Sequence, residues 1–85
     1  MALLLAAAPT VVIRPARGSD TPALWRLAAL DSARVPTGDV LVAETEGTMV
    51  AAHAPATGAT IADPFRRTAE VVELLQLRGA MLRTS

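Results

Sequence analysis

The sequence predicts a small α+β protein with a mostly antiparallel sheet and two helices on one face of that sheet. Two observations lead to this prediction. Segments with strand-like and helix-like apolar periods follow one another in the order β-α-β-β-β-α, and each predicted helix has one apolar stripe that a sheet can bury. The length of 85 residues is that of one domain. We therefore expect a two-layer fold in which residues 10–85 form a single domain, preceded by an apolar leader over residues 1–9.

The leader lacks the features of a targeting or membrane segment. No Lys or Arg precedes Arg14, and the apolar run from Ala2 to Ala8 stops at Pro9. A signal peptide has a basic n-region, and a membrane span needs about 20 apolar residues. We expect a flexible leader, or a start assigned upstream of the folded part, and a cytoplasmic protein without membrane contact.

A strand and a helix are predicted at the start of the domain. β-branched residues dominate Thr10–Arg14, and Pro15 ends the run, which is typical of a strand. Asp20 or Thr21 can cap the helix that follows, and a proline in its first turn needs no hydrogen-bond partner. The helical period continues to about Arg34, where we expect the helix to end.

Trp25 is predicted on the outer side of this helix, opposite the apolar stripe that contains Leu24 and Leu27. A Trp in that position either marks a contact surface or is covered by the N-terminal segment. The sequence favours neither interpretation over the other.

Three strands are predicted in the middle of the chain. Val40–Thr45 is apolar at nearly every position, which is typical of a central strand. The two-residue break Glu46-Gly47 allows Thr48–Ala54 to return antiparallel as a hairpin. A short fourth strand, Ala59–Ala62, follows after a turn.

The last helix is predicted over Ala69–Arg83, with Thr68 as its N-cap. Gly79 falls on its apolar side, where the missing Cβ permits close packing against a sheet. The other members of this broad apolar arc are Val71, Val72, Leu74, Leu75, Met81 and Leu82.

The composition excludes several classes of function. Eight Arg balance eight acidic residues, so no net charge attracts nucleic acid or an anionic membrane. The absence of Cys excludes disulfides and thiolate chemistry. A single His in the chain argues against a His-based metal site, so we expect no metal.

No nucleophile and base form a recognisable pair, and the catalytic residues are therefore unknown. His53 is the only possible imidazole base for Ser19, Ser32 or Ser85, and no spacing links it to any of them. A lone His within a strand is more often structural than catalytic.

Two charged pairs are candidate sites. Glu44 and Glu46 share one strand face and either bracket a substrate or form a solvated edge. Arg66 and Arg67 precede a helix N-terminus, where they either bind an anion with the backbone N–H groups or form a solvated pair beside Glu70.

Several short stretches follow one another in an order known from one family. They are Val12-Ile13-Arg14-Pro15-Ala16, Asp20, Leu24, Leu27-Ala28, Val40-Leu41-Val42-Ala43-Glu44, Gly47, Val50-Ala51-Ala52 and Ile61-Ala62-Asp63-Pro64. Over about residues 11–83 this succession resembles the front half of the GCN5-related N-acetyltransferase (GNAT) family.

The resemblance implies a position for an acetyl-CoA site. In that family an R-x-x-G-x-G/A motif follows a V-D-P-type sequence, and its glycines let backbone N–H groups approach the pyrophosphate. Arg66, Arg67 and Thr68 are then the cofactor-binding positions of this chain. However, Thr68, Ala69 and Glu70 stand where the family has glycines, so side chains obstruct the approach and Glu70 adds a like charge.

The rear half of the family pattern is missing. The sequence stops at Ser85, before the family's fifth strand and its late tyrosine acid, and it contains no Tyr. Because the family's cofactor groove opens between the fourth and fifth strands, we expect no such groove without the fifth strand.

We therefore expect a GNAT-like protein without acetyltransferase activity alone, which acts as a dimerisation or partner-binding module through an exposed sheet edge. One alternative is an acyl-CoA-dependent N-acetyltransferase that is weak or completed by a partner chain. The other is a truncated product without specific activity. We expect no cofactor unless the enzyme alternative holds, in which case the cofactor is acetyl-CoA. The expected partner is a second copy or another protein.

Overall fold

The computed structural model describes residues 10–84 and confirms the predicted α+β class and element order. The elements are β1 (Val11–Pro15), α1 (Thr21–Leu30), β2 (Leu41–Thr45), β3 (Thr48–His53), β4 (Thr60–Ala62) and α2 (Ala69–Thr84). A 3-10 turn over Gly18–Asp20 leads into α1. The leader predicted over residues 1–9 lies outside the described residues, as does Ser85.

Within residues 10–84 the four strands form one antiparallel sheet in the order β1-β2-β3-β4. Glu46 and Gly47 connect β2 to β3, and both have positive φ, 52° and 81°. Two positive φ values are required by the type I′ turn, whose twist matches that of the two flanking strands. The predicted hairpin is confirmed.

The two helices lie on opposite faces of the sheet, which corrects the predicted two-layer arrangement with both helices on one face. Val42 of β2 packs in a cluster with Leu27 of α1. Its neighbour Leu41 packs in a second cluster with Leu75 of α2. Since successive strand residues point to opposite faces, the fold has three layers. β2 and β3 are apolar on both faces, and each face therefore needs a helix to cover it.

A β-bulge interrupts the pairing of β2 with β3. The register shifts between Ala43 and Glu44, which leaves Val50 as an extra residue on β3. Val50 consequently packs on the α2 side of the sheet. Arg26 of α1 donates a hydrogen bond from Nη2 to the carbonyl oxygen of Met49 beside the bulge, at 2.8 Å.

Helix α1 ends at Leu30 and not at about Arg34, as the apolar period predicts. Ser32 adopts a left-handed conformation with φ 50°, which turns the chain out of the helix. The other predicted boundaries agree with the structure to within one residue. Two backbone hydrogen bonds close the end of α1 in a Schellman motif, Ser32 N to Ala29 O (3.2 Å) and Ala33 N to Ala28 O (2.9 Å).

The predicted close packing at Gly79 is confirmed. Gly79 is buried, and a Cβ added there would lie 3.0 Å from ring atoms of His53 and from Pro55. Leu75, one turn earlier, is completely buried against the sheet. These two positions define the side of α2 that faces the sheet.

The apolar arc predicted for α2 is only partly buried. Val71 and Val72 pack against the sheet cluster beside Leu75. The side chains of Leu74, Met81 and Leu82 are about half exposed or more, and so is that of Leu77. The helix therefore has exposed apolar side chains outside its contact with the sheet.

Candidate functional site

The turn between β4 and α2 is organised by the carboxylate of Asp63, which is buried. Asp63 Oδ1 accepts the backbone N–H of Phe65 at 2.9 Å. Its Oδ2 lies 3.6 Å from Nε of Arg66, and its carbonyl oxygen accepts the Arg66 N–H at 3.3 Å. These contacts fix the direction in which the chain leaves β4 and enters α2.

The three predicted cofactor-binding residues, Arg66, Arg67 and Thr68, come together on one groove. The groove has a volume of about 490 Å³ and lies between the start of β1, the end of β2 and the N-terminus of α2. Glu70 lines it as well. The remaining lining residues are Val11, Thr45, Val50, Val71 and Leu74.

The electrostatics of this groove are mixed. Arg66 and Arg67 bring two positive charges, but Arg66 already forms a partly exposed ion pair with Asp63. Glu70 brings a carboxylate to the first turn of α2, where an incoming anion would bind to the backbone N–H groups. The groove can accommodate a small amphipathic molecule, but its charges do not single out an anion.

Three residues that carry the GNAT resemblance meet in a cluster elsewhere in the fold. Arg14 donates two hydrogen bonds of 2.8 Å to the carboxylate of Asp20 and two of 3.2 Å to that of Glu44. Asp20 also accepts the backbone N–H of Arg17 at 2.7 Å. The cluster ties the β1–α1 connection to β2, which makes these residues structural.

The cluster shifts the pKa values of two of its members. The hydrogen bonds from Arg14, followed by that from the Arg17 N–H, hold the pKa of Asp20 well below its usual range. The hydrogen bonds to Asp20, followed by those to Glu44, raise the pKa of Arg14 above its ordinary value. Both groups are therefore held in their charged forms.

The second charged pair proposed from the sequence, Glu44 and Glu46, does not form a site. The carboxylate of Glu44 is bound to Arg14. Glu46 lies in the β2–β3 turn with positive φ. The two residues therefore have separate structural environments.

His53 has a structural environment at the far end of β3 from the groove. Its Nδ1 lies 2.8 Å from Oγ1 of Thr60, and its ring packs against Gly79. Ser32 lies at the end of α1, on the other face of the sheet. The arrangement offers His53 no serine nucleophile among the residues with which it is in contact.

The outer edge of β4, one of the two edges of the sheet, is partly occupied. The N–H of Ala62 points away from β3 and donates to Oδ2 of Asp31 at 3.1 Å. A carbonyl oxygen of an added strand would need that position. β4 is also only three residues long, and short, blocked edges resist pairing.

A second cavity of about 600 Å³ lies at the opposite end of the sheet, and sequence reasoning did not predict it. Three prolines, Pro15, Pro36 and Pro55, form part of its wall. Arg17 and Arg83 line it too, and Arg83 donates to the Pro55 carbonyl oxygen at 3.2 Å. The sequence signal for this cavity was the recurrence of proline at the ends of strands and in loops that meet there.

Within residues 10–84 no three His, Cys, Asp or Glu side chains are grouped as a metal site requires. Neither helix in this part of the chain has the length and apolar character that crossing a membrane requires. Comparison of the chain with protein-family models, with curated proteins and with solved structures finds no match in any of the three.

Proposed function

We propose that this chain is a protein-interaction module with a GNAT-like fold and without acetyltransferase activity of its own. The observation that carries the proposal is the exposure of its only two aromatic residues. Trp25 is 65% exposed and Phe65 81% exposed. Aromatic side chains contribute strongly to cores and are enriched in protein–protein interfaces.

The contrast between the core and the surface supports this proposal. The buried positions of the two central strands include three alanines, whose side chains contribute little apolar area. Burying one large apolar side chain is worth about 1.5–3 kcal/mol. The chain forgoes part of that gain at Trp25 and Phe65, and at Leu74 and Leu77 of α2. A partner that covers these side chains would recover it.

Two features argue against acetyl transfer by this chain alone. Glu70 lines the same groove as the three predicted cofactor-binding residues, so its charge opposes that of a pyrophosphate bound there. Asp31 bonds to the outer edge of β4, where the resemblance expects a further strand beside the pantetheine arm.

Calorimetric titration with acetyl-CoA tests this part of the proposal. We expect a dissociation constant of about 1 mM or weaker, which corresponds to roughly −4 kcal/mol. The matched control is the Arg66→Ala/Arg67→Ala variant, which should give the same weak heats. Micromolar binding that this variant abolishes would contradict the proposal.

The interaction role is tested by sedimentation of the purified chain. We expect association at high micromolar concentration, or a partner that co-purifies in a fixed ratio. A clean monomer with no partner and no affinity for acetyl-CoA would instead favour a truncated product without specific activity.

The groove at the start of α2 favours a second candidate function, an acyl-CoA-dependent N-acetyltransferase completed by a partner chain. Arg66, Arg67 and Thr68 line that groove together, as such a site would need. This candidate requires acetyl-CoA binding to appear, or to strengthen, when the partner is present.

A further inference from the structure

Helix α2 has an apolar stripe with the spacing of a coiled-coil seam. Leu74, Leu77 and Met81 are separated by three and four residues, so their side chains project from one side of the helix. Leu74 is 47% and Leu77 57% exposed. Leu75 and Gly79 face the sheet. With 100° of rotation per residue, the mean direction of Leu74 and Leu77 around the helix axis lies about 150° from the mean direction of those two residues. Leu77 therefore lies on the side of α2 away from the sheet, while Leu74 is half exposed at the border of the groove beside β1 and β2.

Opposite charges flank this stripe. Glu73 lies on one side of it and Arg78 on the other, and both are exposed. The two residues are five positions apart, so they are not neighbours on the same helix, where pairs form at three or four positions. Five positions is the separation at which the g position of one helix meets the following e position of a parallel partner helix.

We propose that α2 pairs in parallel with α2 of a second copy of this chain, with Leu74 and Leu77 at the seam. This inference rests on the proposed function as an interaction module and names its partner. In the parallel arrangement Glu73 lies beside Arg78 of the second copy, and two-fold symmetry repeats the pair. In an antiparallel arrangement e positions face each other, so Arg78 would lie near Arg78 of the second copy.

The expected dimer is weak and depends on concentration. The seam contains few side chains, so its area falls below the roughly 800 Å² per partner of a standard interface. The apolar seam also cannot extend to the start of the helix. Glu70 occupies the next position with the same spacing, and it would lie opposite Glu70 of the second copy, where the two like charges repel each other.

Charge reversal tests the pairing directly. Sedimentation equilibrium of Glu73→Arg, and separately of Arg78→Glu, should show dimerisation weakened by about tenfold, because each variant replaces two attractive pairs by two repulsive ones. An equimolar mixture of the two variants should recover the wild-type affinity as a heterodimer. The double variant Glu73→Arg/Arg78→Glu should recover it as a homodimer.

The apolar seam has its own test. Leu77→Glu should abolish dimerisation, while Gln76→Glu adds the same charge to the neighbouring exposed position and should leave dimerisation within about twofold of wild type. Circular dichroism of both variants checks that each remains folded. If Leu77→Glu unfolds, the charge-reversal mixture still decides the question.

The outcomes separate this inference from the proposed function. A dimer that is indifferent to both charge reversals overturns α2 pairing and leaves an interaction role through another surface. A wild-type chain that is monomeric at high micromolar concentration also overturns it, and a co-purifying partner would then preserve the interaction role. Micromolar binding of acetyl-CoA by the monomer overturns the non-catalytic assignment alone.

Discussion

Gly79 shows how a single missing Cβ sets the distance between α2 and the sheet. Replacing glycine by alanine inside a helix ordinarily stabilises a protein by about 1 kcal/mol. At position 79 the new methyl group would lie 3.0 Å from the His53 ring and from Pro55. Since Thr60 holds the ring in place and overpacking costs about 1–3 kcal/mol, we expect Gly79→Ala to lower the free energy of unfolding by about 1 kcal/mol.

Urea denaturation followed by circular dichroism measures this effect. Ala80→Gly is the matched control, because residue 80 is exposed on the same helix and should show the ordinary loss of about 1 kcal/mol. Stabilisation by Gly79→Ala would mean that His53 and Pro55 can move aside without cost.

At the scale of an element, the end of α1 is strained at one position. Ser32 has φ 50° in a Schellman motif, where glycine is favoured because a Cβ is unfavourable in the left-handed region. We expect Ser32→Gly to raise the free energy of unfolding by about 0.5–1 kcal/mol, part of the relief being offset by the greater freedom of glycine in the unfolded chain. Thermal or urea unfolding measures the change.

Ala33→Gly is the control for that substitution. Ala33 follows Ser32 directly but is not among the residues with positive φ, so its replacement should stabilise nothing. Equal stabilisation by both substitutions would show that the strain at Ser32 is not the cause.

Local signals in the sequence predict some elements of this fold and not others. The β2–β3 hairpin was predictable because Gly47 marks a turn with positive φ. The end of α1 was not predictable, because a serine occupies the left-handed position at which glycine usually marks the end of a helix. The sequence also predicted the apolar stripe of each helix. It did not predict which face of the sheet each helix covers, because that depends on the path of the connections between the helices and the strands.

In the candidate site, too, only residues that are close in sequence could be predicted to lie together. Arg66, Arg67 and Thr68 are consecutive in sequence, so their joint position on one groove could be predicted. Arg14 and Glu44 are thirty residues apart, and nothing local indicates that one guanidinium bridges two carboxylates. The second cavity, which joins loops from three parts of the chain, was unpredictable for the same reason.

For the whole molecule, Asp20 gives stability a defined dependence on pH. Its pKa is lowered in the folded state by Arg14 and the Arg17 N–H, whereas an unfolded Asp has a pKa of about 3.9. The contribution is therefore complete above about pH 4 and is lost as the pH falls through the lower folded-state pKa. We expect the wild-type free energy of unfolding to decline over this acidic range.

Urea unfolding at a series of pH values between neutral and strongly acidic tests this expectation. Asp20→Asn should be less stable than wild type at pH 7, and the difference should shrink as the pH falls. Arg14→Lys keeps the positive charge but not the two-pronged geometry, so its decline in acid should be shallower than that of wild type. Parallel curves for wild type and Asp20→Asn would rule out Asp20 as the source.

The exposure of Trp25 determines what the tryptophan fluorescence of this protein can report. Trp25 is the only tryptophan, and it lies on the outer face of α1, on the opposite side of the sheet from α2. Its indole is already largely hydrated in the folded state, so the emission wavelength is a poor indicator of whether the core is intact. The emission of Trp25 instead reports the solvent exposure of α1. It should not change when a partner binds at α2, and it should change when a partner covers α1.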